Sequence, residues 1–304
     1  MPTATLTKKK AGATSAPQTA LRSSFTIDPI TPIIGAEIGN IDLGVELDEE
    51  TFKQLRATLV KHKVLVFREQ DITPAAQVAF ARRFGVLETH PVFPKHPEHP
   101  ELVVLGGDAS KPAQENIYHS DYSWREEPSM ASILRCIECP AHGGDTLWIN
   151  MVAAYERLPE SIKSRLAGLR AVHDLMPAFG GRMTAEKREA TRRQYPMVEH
   201  PVVRTHPESG EKILYVNESF TTHFANFMEN GEIRVGFDFR LAEMDLLQYL
   251  LRQAQIPEYQ MRVRWKPNTI VMWDNRSTQH YAIQDYFPAV RRMLRATVIG
   301  DRTF

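Results

Sequence analysis

The sequence predicts an α+β fold in which helices flank strands that close, or nearly close, into a barrel. Apolar residues make up 42% of the 304-residue chain, which is enough to form a substantial core. Short apolar or alternating runs typical of strands occur in both halves, whereas helical periodicity is concentrated before and between them. We find no internal repeat and no apolar run as long as a membrane span.

The chain opens with a segment, residues 1–24, that is rich in Ala, Thr, Ser and Lys and contains no acidic residue. This composition predicts a disordered N-terminal tail. An organelle transit peptide has a similar bias, so that alternative stays open. From Phe25 the pattern becomes globular, and one domain is predicted over residues 25–304.

Helices and strands alternate in the first half of this domain. Helical periodicity predicts a helix over residues 48–63, and the apolar run 64–67 follows as a buried strand. A second helix is predicted over 73–85, because Thr73 can cap its start and Gly85 can end it. Further strands are predicted at 101–105, 131–139 and 145–150, and further helices at 151–158 and 160–169.

The second half begins with an irregular, basic segment, residues 177–198, which is predicted to be a solvated excursion. A lid over a site is the alternative for such a segment. Residues 200–217 are predicted to form a hairpin with PESGEK at its turn. The remaining predicted elements are an amphipathic helix at 241–255, strands on either side of a KPN turn within 259–275, and a strand at 291–301.

Charge and cysteine content exclude several classes of function. Lys plus Arg and Asp plus Glu both number 37, so we expect neither a nucleic-acid partner nor a membrane partner. Two cysteines cannot build a disulfide framework, and they indicate a reducing compartment, which we take to be the cytoplasm. Cys136 and Cys139 form a C-x-x-C within a predicted strand. Because they are three residues apart, we expect their thiols on opposite faces, as buried apolar groups rather than a redox pair.

A short polar stretch, NIYHSDYSW, places His119 two residues before Asp121. On an extended strand both side chains would lie on the same face. Such a pair binds a metal in some proteins and is an ordinary surface pair in others, so the rest of the chain has to decide.

The apolar run TIVMW leads into a polar cluster, DNRSTQHYA, that contains His280. Polar residues at the end of a buried strand are typical of a functional site. His280 would complete two histidines and one carboxylate, a set that leaves three octahedral positions open and suits non-haem Fe(II). A zinc hydrolase with the same three ligands stays open as an alternative, although zinc needs only one open position.

Two arginines, Arg291 and Arg295, share one face of the last predicted strand. Guanidinium groups inside a barrel are costly unless anions meet them, whereas on an edge strand they would be ordinary surface residues. Thr146 follows a Gly-Gly turn, and its hydroxyl could donate to a carboxylate that an arginine holds. A non-catalytic barrel that binds small anions therefore also stays open.

Taken together, His119-x-Asp121, Thr146, His280 and Arg291 resemble the pattern of the TauD/TfdA family of Fe(II)/2-oxoglutarate-dependent dioxygenases. The resemblance extends over roughly residues 25–301. Several longer strings are especially similar to the taurine dioxygenases of this family, namely HPVFP (90–94), GGDTLW (143–148), HPVVRTHPESG (200–210), VNESFTT (216–222), WDNRSTQHYA (273–282) and RATVIGD (295–301).

The resemblance implies a double-stranded β-helix, or jelly roll, flanked by helices. It implies that His119, Asp121 and His280 bind Fe(II), and that Arg291 and Thr146 hold the far carboxylate of 2-oxoglutarate. O2 would be the oxidant, and succinate and CO2 the co-products. Members of the family are often dimers or tetramers, so a homo-oligomer is expected.

The resemblance also implies a substrate pocket for a small organic anion. Arg295 would bind the anionic group, and the other pocket residues would be His90, Glu115, Tyr122, Phe179 and Phe220. The implied substrate is a sulfonate or an alkyl sulfate, which hydroxylation would convert to an aldehyde plus sulfite or sulfate. An aryloxyalkanoate or another carboxylate is the alternative.

Three pocket positions depart from the taurine-oxidising pattern. Glu115 stands in place of an asparagine, Phe93 in place of a tyrosine, and Tyr122 in place of a smaller valine. These changes alter the charge and shape of the pocket.

Overall fold

The computed structural model describes residues 25–107, 110, 116–227 and 237–304, without the side chains of 237–240. The predicted tail, residues 1–24, and the predicted pocket residue Glu115 lie outside the described residues.

Strands and helices are interspersed along the described part of the chain. The strands are β1 (Thr26–Pro29), β2 (Ala36–Gly39), β3 (Val64–Phe67), β4 (Leu102–Gly107), β5 (Ser129–Glu138), β6 (Thr146–Asn150), β7 (Arg170–His173), β8 (Val198–Pro201), β9 (Val203–Thr205), β10 (Lys212–Leu214), β11 (Thr221–Phe224), β12 (Gln260–Val263), β13 (Ile270–Asp274), β14 (Thr278–Ala282) and β15 (Arg291–Ile299). The helices are α1 (Glu49–His62), α2 (Pro74–Arg82), α3 (Met151–Glu156), α4 (Glu160–Leu166), α5 (Met176–Phe179), α6 (Ala185–Gln194) and α7 (Phe237–Arg252). Within the described ranges, none of these helices is both long and apolar enough to cross a bilayer.

Two sheets form the centre of the molecule. The larger has the strand order β1-β2-β3-β13-β5-β15-β4, with only the β2–β3 pair parallel, and the smaller has the order β12-β6-β14. Alternate side chains of β3, β13, β5 and β15 pack against side chains of β6 and β12, including Trp148. The period-two alternation of strand side chains thus gives the two sheets a shared core.

Helices cover the outer faces of this pair of sheets. The opposite side chains of the larger sheet pack against α1 and α2, through residues such as Leu55, Leu59 and Phe80. A third cluster joins α3, α4 and α7 to β7 and β10. Mixed helices and sheets confirm the α+β prediction. In the part of the chain that the structure describes, neither sheet closes on itself, so the strands form two stacked open sheets rather than a closed barrel.

Both predicted N-terminal helices are confirmed, and Thr73 caps the second one as predicted. The Asp48 side chain accepts a hydrogen bond from the Thr51 amide at the start of α1, and Thr73 accepts one from Ala76 at the start of α2. The hairpin predicted over 200–217 is confirmed as the antiparallel pair β9–β10.

The prediction that residues 177–198 are irregular was wrong, because α6 occupies residues 185–194, but this helix is solvated as predicted. Thr184 caps this helix by accepting from the Lys187 amide. None of its residues is buried, so it has no apolar face and no apolar periodicity for the sequence to display.

The strands on either side of the KPN turn, β12 and β13, are not partners in a hairpin. β12 pairs with β6, whereas β13 pairs with β3 and β5, so the turn carries the chain from one sheet to the other. Met261 of β12 and Trp273 of β13 belong to the core between the sheets. The two runs therefore pack face to face, an arrangement that alternation alone does not distinguish from a hairpin.

The expectation that the two thiols point to opposite faces was also wrong. The ladder between β5 and β15 shifts register between Cys136, opposite Met293, and Glu138, opposite Arg292, so Ile137 is an extra residue in a bulge. A bulge changes the parity of the residues that follow it. Cys136 and Cys139 consequently pack on the same core and form a side-chain hydrogen bond with one another.

Candidate metal and anion site

The sequence-predicted site residues meet at a cavity of about 120 Å³. Those in its lining are His90, His119, Asp121, Tyr122, Thr146, Phe179, Phe220, His280, Arg291 and Arg295. Residues more than 200 positions apart in the chain, such as His90 and Arg295, thus line the same cavity. Of the predicted site residues, only Glu115 is not placed, because it lies outside the described residues.

Two histidines and one carboxylate converge at one side of the cavity. One potential ligand atom from each of His119, Asp121 and His280 lies within 4.8 Å of the others. The two histidines are opposite one another, because the His119 amide donates to the His280 carbonyl at 3.1 Å and the reverse bond is 2.9 Å. Their ring centroids are 4.1 Å apart. Among the described residues, this is the only group of three or more His, Cys, Asp or Glu side chains whose spacing could hold a metal ion.

The stretch that carries His119 and Asp121 is not a regular strand. His119 forms an isolated bridge to His280, and the chain turns directly after Ser120. The two side chains therefore reach the same point because a turn directs them there, whereas the sequence had suggested the alternation of a strand.

Each of the two histidines can offer a ring nitrogen to a metal. His119 Nδ1 lies 2.8 Å from the Ile117 carbonyl oxygen, which accepts its proton and leaves the Nε2 lone pair free for a metal. Burial, and then the neighbouring His119, lowers the pKa of His280 well below its usual value. The Nδ1 atom of His280 is buried and has no hydrogen-bond partner among the residues described. A neutral imidazole with such a nitrogen fits a metal ligand.

The Asp121 carboxylate is held at both oxygens. Arg295 Nη1 donates to Oδ1 at 2.7 Å, and Ser132 Oγ donates to Oδ2 at 2.8 Å. Burial alone would raise the pKa of Asp121, but Arg295, the two histidines and the Ser132 hydrogen bond hold it well below its usual range. The side chain is therefore ionised and adds a negative charge to the two imidazoles.

A second polar group lies at Thr146, at the start of β6. The Thr146 hydroxyl oxygen accepts from Arg291 Nη2 at 3.3 Å and from Trp265 Nε1 at 3.0 Å. A hydroxyl oxygen has two acceptor positions, and these two bonds fill them. The hydroxyl proton of Thr146 can therefore donate to another group. Arg291 and Thr146 together present donors suited to a carboxylate.

Aromatic rings form another part of the cavity wall. The His90 ring centroid lies 4.5 Å from that of Phe93, 5.1 Å from Tyr122 and 5.8 Å from Phe179. Phe179 stacks on Phe220 at 6.3 Å. This wall is apolar except for His90 and the Tyr122 hydroxyl, so it suits the carbon skeleton of a ligand.

His90 is the polar group of that wall. Its Nδ1 accepts from the amides of Val92 at 3.0 Å and Phe93 at 3.1 Å, so the proton lies on Nε2. Burial, followed by the nearby Arg295 charge, lowers the pKa of His90 to about 3. His90 is thus a neutral hydrogen-bond donor at neutral pH.

Tyr122 contributes its ring to the wall, and its backbone is unusual. Its φ of 57° lies in the left-handed region, which aromatic residues rarely adopt. Its hydroxyl is buried and has no hydrogen-bond partner within the described ranges. Burial raises the pKa of Tyr122, so the hydroxyl stays protonated.

The segment from α5 to α6 closes this side of the cavity. Ala178, Phe179 and Arg182 line it, and Met176 and Met183 pack with Tyr122 in the cluster beneath. Sequence reasoning identified the segment as a candidate lid, and in this structure it forms a wall.

Acid is expected to destabilise the protein, since burial lowers the pKa of His90 to about 3 and that of His200 to about 4. In the unfolded chain both titrate near 6.5, so the unfolded state takes up protons first as the pH falls. The free energy of unfolding should therefore fall from about pH 6.5 down to about pH 4, by about 1.4 kcal/mol per pH unit for each histidine. Asp121 should add a further loss below about pH 4, because its pKa is held low in the folded state.

Urea denaturation between about pH 7.5 and 5 measures this slope. His200→Gln serves as the comparison, because it removes one titrating group from a site with bonds to Ser123 and Thr303. The variant should have a slope smaller by about one proton. A wild-type free energy of unfolding that is constant across this range would contradict the prediction.

Sequence reasoning missed three residues that support the site. Trp265 shares Thr146 with Arg291, Ser132 holds Asp121, and Asn275 bonds to the Asp121 backbone. The only signal in the sequence was the position of Asn275 in the polar run after TIVMW. Trp265 and Ser132 act through contacts between distant strands.

Comparison with known proteins places this geometry in context. A family profile described as "Taurine catabolism dioxygenase TauD, TfdA family" matches residues 26–297. The chain is 34% identical to an alpha-ketoglutarate-dependent sulfate ester dioxygenase of Pseudomonas putida, over 90% of this chain and 89% of that protein. It is 36% identical to an alkylsulfatase of Acinetobacter baylyi, over 90% and 84% of the two chains.

Carboxylate-oxidising relatives are also found. An alpha-ketoglutarate-dependent 2,4-dichlorophenoxyacetate dioxygenase of Cupriavidus pinatubonensis is 32% identical, over 91% of this chain and 99% of that protein. Among solved structures, a taurine dioxygenase from Burkholderia xenovorans superposes with a TM-score of 0.77 at 33% identity, covering 92% of this chain and 91% of that one.

Proposed function

Because the chain belongs to the TauD/TfdA family and is a 2-oxoglutarate-dependent dioxygenase, we propose that its cavity hydroxylates a small organic anion at an iron centre. The observation that carries the proposal is that three side chains with metal-binding spacing line the same cavity as Arg291 and Thr146. We call Arg291 and Thr146 the carboxylate seat. Family membership also sets aside the alternatives of a zinc hydrolase and a non-catalytic anion-binding barrel.

In this proposal His119, Asp121 and His280 hold Fe(II). Two imidazoles and one carboxylate fit this ion, because such a ligand set leaves positions open for a chelating keto acid and O2. The iron would supply the redox chemistry, in which 2-oxoglutarate and O2 give succinate and CO2 and one oxygen atom enters a C–H bond of the substrate. The protein keeps the ligands ready: Ile117 fixes the His119 tautomer, and Ser132 orients the carboxylate.

Arg291 and Thr146 would bind the far carboxylate of 2-oxoglutarate. Arg291 supplies the positive charge. Thr146 supplies its hydroxyl proton, because its oxygen already accepts from Arg291 and Trp265. Trp265 restricts the seat, since its ring lies 5.7 Å from the Arg291 guanidinium. A fixed seat of this kind orients the keto acid without a rearrangement of side chains.

Gly144→Ala should weaken this seat. Gly144 has φ 70°, and a Cβ there would lie 3.2 Å from a Tyr286 ring carbon and 3.3 Å from Arg291 Cδ. We expect the KM for 2-oxoglutarate to rise by about tenfold, since a shifted guanidinium loses about one charge-assisted hydrogen bond. Succinate assays at varied 2-oxoglutarate measure the change.

Gly168→Ala is the matched control for that substitution. Gly168 has a similar φ of 73°, but a Cβ there would meet nothing within 4 Å. Both variants carry the same backbone strain, and only one displaces Arg291. Equal KM values in the two variants would show that the Gly144 contact does not position Arg291.

The prime substrate would bind at Arg295 and His90 and lie along the aromatic wall. His90 offers its Nε2 proton, and the Nε of Arg295 is buried with no acceptor in the described ranges. An anionic group would satisfy both donors. Relatives named for sulfate esters and alkylsulfatase activity favour a sulfonate or alkyl sulfate, with an aryloxyalkanoate or other carboxylate as the second candidate.

Hydroxylation of an alkyl sulfate at the carbon next to the ester oxygen explains how such a substrate is cleaved. The new C–OH sits on the carbon that bears the sulfate, so loss of its proton forms the C=O bond as the C–O bond to sulfate breaks. The products are an aldehyde and sulfate, and a sulfonate would give sulfite in the same way. The apolar wall of Phe93, Phe179 and Phe220 would bind the alkyl chain.

Four broader features belong to the same proposal. The two stacked sheets would constitute the double-stranded β-helix of the family, in one catalytic domain over residues 25–304. The enzyme would be a homo-oligomer, a dimer or tetramer. The two free cysteines support a cytoplasmic setting.

Succinate release under O2 tests the proposed function. Wild-type protein with Fe(II) and 2-oxoglutarate should release succinate above background when supplied with an alkyl sulfate or sulfonate, and less with aryloxyacetates. Sulfate or sulfite should appear in equal amount to succinate. No substrate-stimulated succinate across sulfates, sulfonates and carboxylates would overturn the proposal, and stimulation by carboxylates alone would select the second candidate.

A further inference from the structure

Asn275 is a fully buried asparagine in the turn between β13 and β14, five residues before His280. Its Oδ1 accepts from the Asp121 amide at 2.8 Å, and its Nδ2 donates to the Asp121 carbonyl at 2.8 Å. Nδ2 also lies 2.7 Å from the Ser129 hydroxyl. The oxygen and the nitrogen of the amide group therefore both have partners, and two of the bonds reach the backbone of one residue.

These bonds are part of a set of hydrogen bonds that joins residues 119–121 to residues 275–280. His119 and His280 exchange backbone hydrogen bonds, the Ser120 hydroxyl donates to the Thr278 carbonyl at 2.7 Å, and Asp121 is bound by Asn275. The backbone pairing is confined to His119 and His280. The Asn275 side chain continues it, because a carboxamide presents the same donor and acceptor as a peptide group.

The backbone next to Asp121 shows that this connection overrides local preference. Tyr122 has φ 57°, which costs a non-glycine residue of order 1 kcal/mol or more. Such a conformation persists only where the surrounding contacts fix it. The Asp121 amide and carbonyl, directly before Tyr122, are both held by Asn275.

We propose that Asn275 is a positioning residue that sets the direction of the Asp121 carboxylate for metal binding. The inference rests on the proposed function, because it takes Asp121 as a ligand. Asn275 does not touch the ligand atoms themselves. It fixes the Asp121 backbone to the segment that carries His280, so two of the three ligands keep their relative positions before a metal arrives.

The near-isosteric variant Asn275→Asp tests this role. The aspartate keeps the acceptor for the Asp121 amide but loses the donor, so an oxygen would face the Asp121 carbonyl. We expect affinity for Mn(II), a redox-inactive probe, to fall by about 10- to 100-fold in calorimetric titration of the full chain. Wild-type Mn(II) affinity in this variant would overturn the inference.

Asn150→Asp is the matched control. Asn150 is also buried, and its Nδ2 donates to the Ile33 carbonyl at 2.8 Å, outside the metal-binding group. Both variants should lower the melting temperature, but only Asn275→Asp should lower Mn(II) affinity. Equal losses of affinity would show a general effect of stability and would overturn the positioning role.

Two further variants keep the outcome interpretable. If Asn275→Asp does not fold, Ser129→Ala removes the hydroxyl that accepts from the Asn275 amide and donates to the Asp121 carbonyl, and it should lower Mn(II) affinity by about threefold. Unchanged affinity in that variant would then overturn the inference. Mn(II) binding that His280→Ala leaves intact would instead overturn the proposed function, so the two failures are distinguishable.

Discussion

Replacing His280 with alanine is expected to abolish substrate-dependent succinate formation, with a loss of at least about 1,000-fold. The variant should also lose more than about 100-fold in Mn(II) affinity, since a direct ligand contributes more than the groups that orient it. His280 is one of three donors within 4.8 Å of one another, and two donors cannot define the facial arrangement. Calorimetric titration and succinate assays measure the two losses separately.

The His280→Ala variant should still fold, for two reasons. The backbone bonds between residues 119 and 280 do not need the imidazole, and the ring carries no hydrogen bond at Nδ1 within the described residues. Asp121 keeps its ion pair with Arg295 at 2.7 Å, so no buried charge is left alone.

His200→Gln is the matched control for His280→Ala. His200 is also buried, but it bonds to the Ser123 carbonyl and the Thr303 hydroxyl rather than facing the cavity. It should lower the melting temperature and leave Mn(II) affinity within about threefold of wild type. Normal Mn(II) affinity in His280→Ala would place the metal elsewhere and contradict the prediction.

Local chemistry made parts of the fold predictable from the sequence. Asp48 and Thr73 cap their helices by accepting hydrogen bonds from amides three residues later. The start of each helix is therefore determined by residues that are close in the sequence. The β9–β10 hairpin follows from its turn in the same way. None of these elements depends on a distant partner.

Features that depend on distant partners were not predictable. β12 and β13 have the same apolar alternation, and only their partners show that they lie in different sheets. The bulge at Ile137 exists relative to β15, so the shared face of Cys136 and Cys139 could not be inferred from their spacing. α6 has no apolar face at all, which removed the signal used to predict helices.

The candidate site shows the same division. The residues of the His119, Asp121, His280, Thr146 and Arg291 pattern come together at one cavity, and chemical type with order along the chain was enough to select them. Their orientation was not accessible, because it depends on Asn275, Ser132 and Trp265, which act across strands. The ion pair of Arg295 with Asp121 was also unforeseen, and it gives Arg295 a role beside the one expected for it.

The two cavity arginines should have separable effects on the two co-substrates. Arg291→Ala is expected to raise the KM for 2-oxoglutarate by about 100-fold, since it removes the charge from the seat that Thr146 shares. The KM for the prime substrate should change by less than about threefold. Arg295→Ala should mainly raise the KM for the prime substrate, because Arg295 lies near His90 rather than at the Thr146 hydroxyl.

Arg295→Ala carries a further consequence that Arg291→Ala does not. Without Arg295, burial raises the pKa of Asp121 and leaves its charge without the 2.7 Å partner, so Mn(II) affinity and the melting temperature should also change. Arg295→Lys separates the two roles, since lysine keeps a positive charge beside Asp121 but lacks the planar pair of donors for an anion. That variant should retain Mn(II) binding and still raise the KM of the prime substrate. Equal increases in both KM values for Arg291→Ala and Arg295→Lys would mean that the arginines share one ligand, and the assignment of two separate anion seats would be wrong.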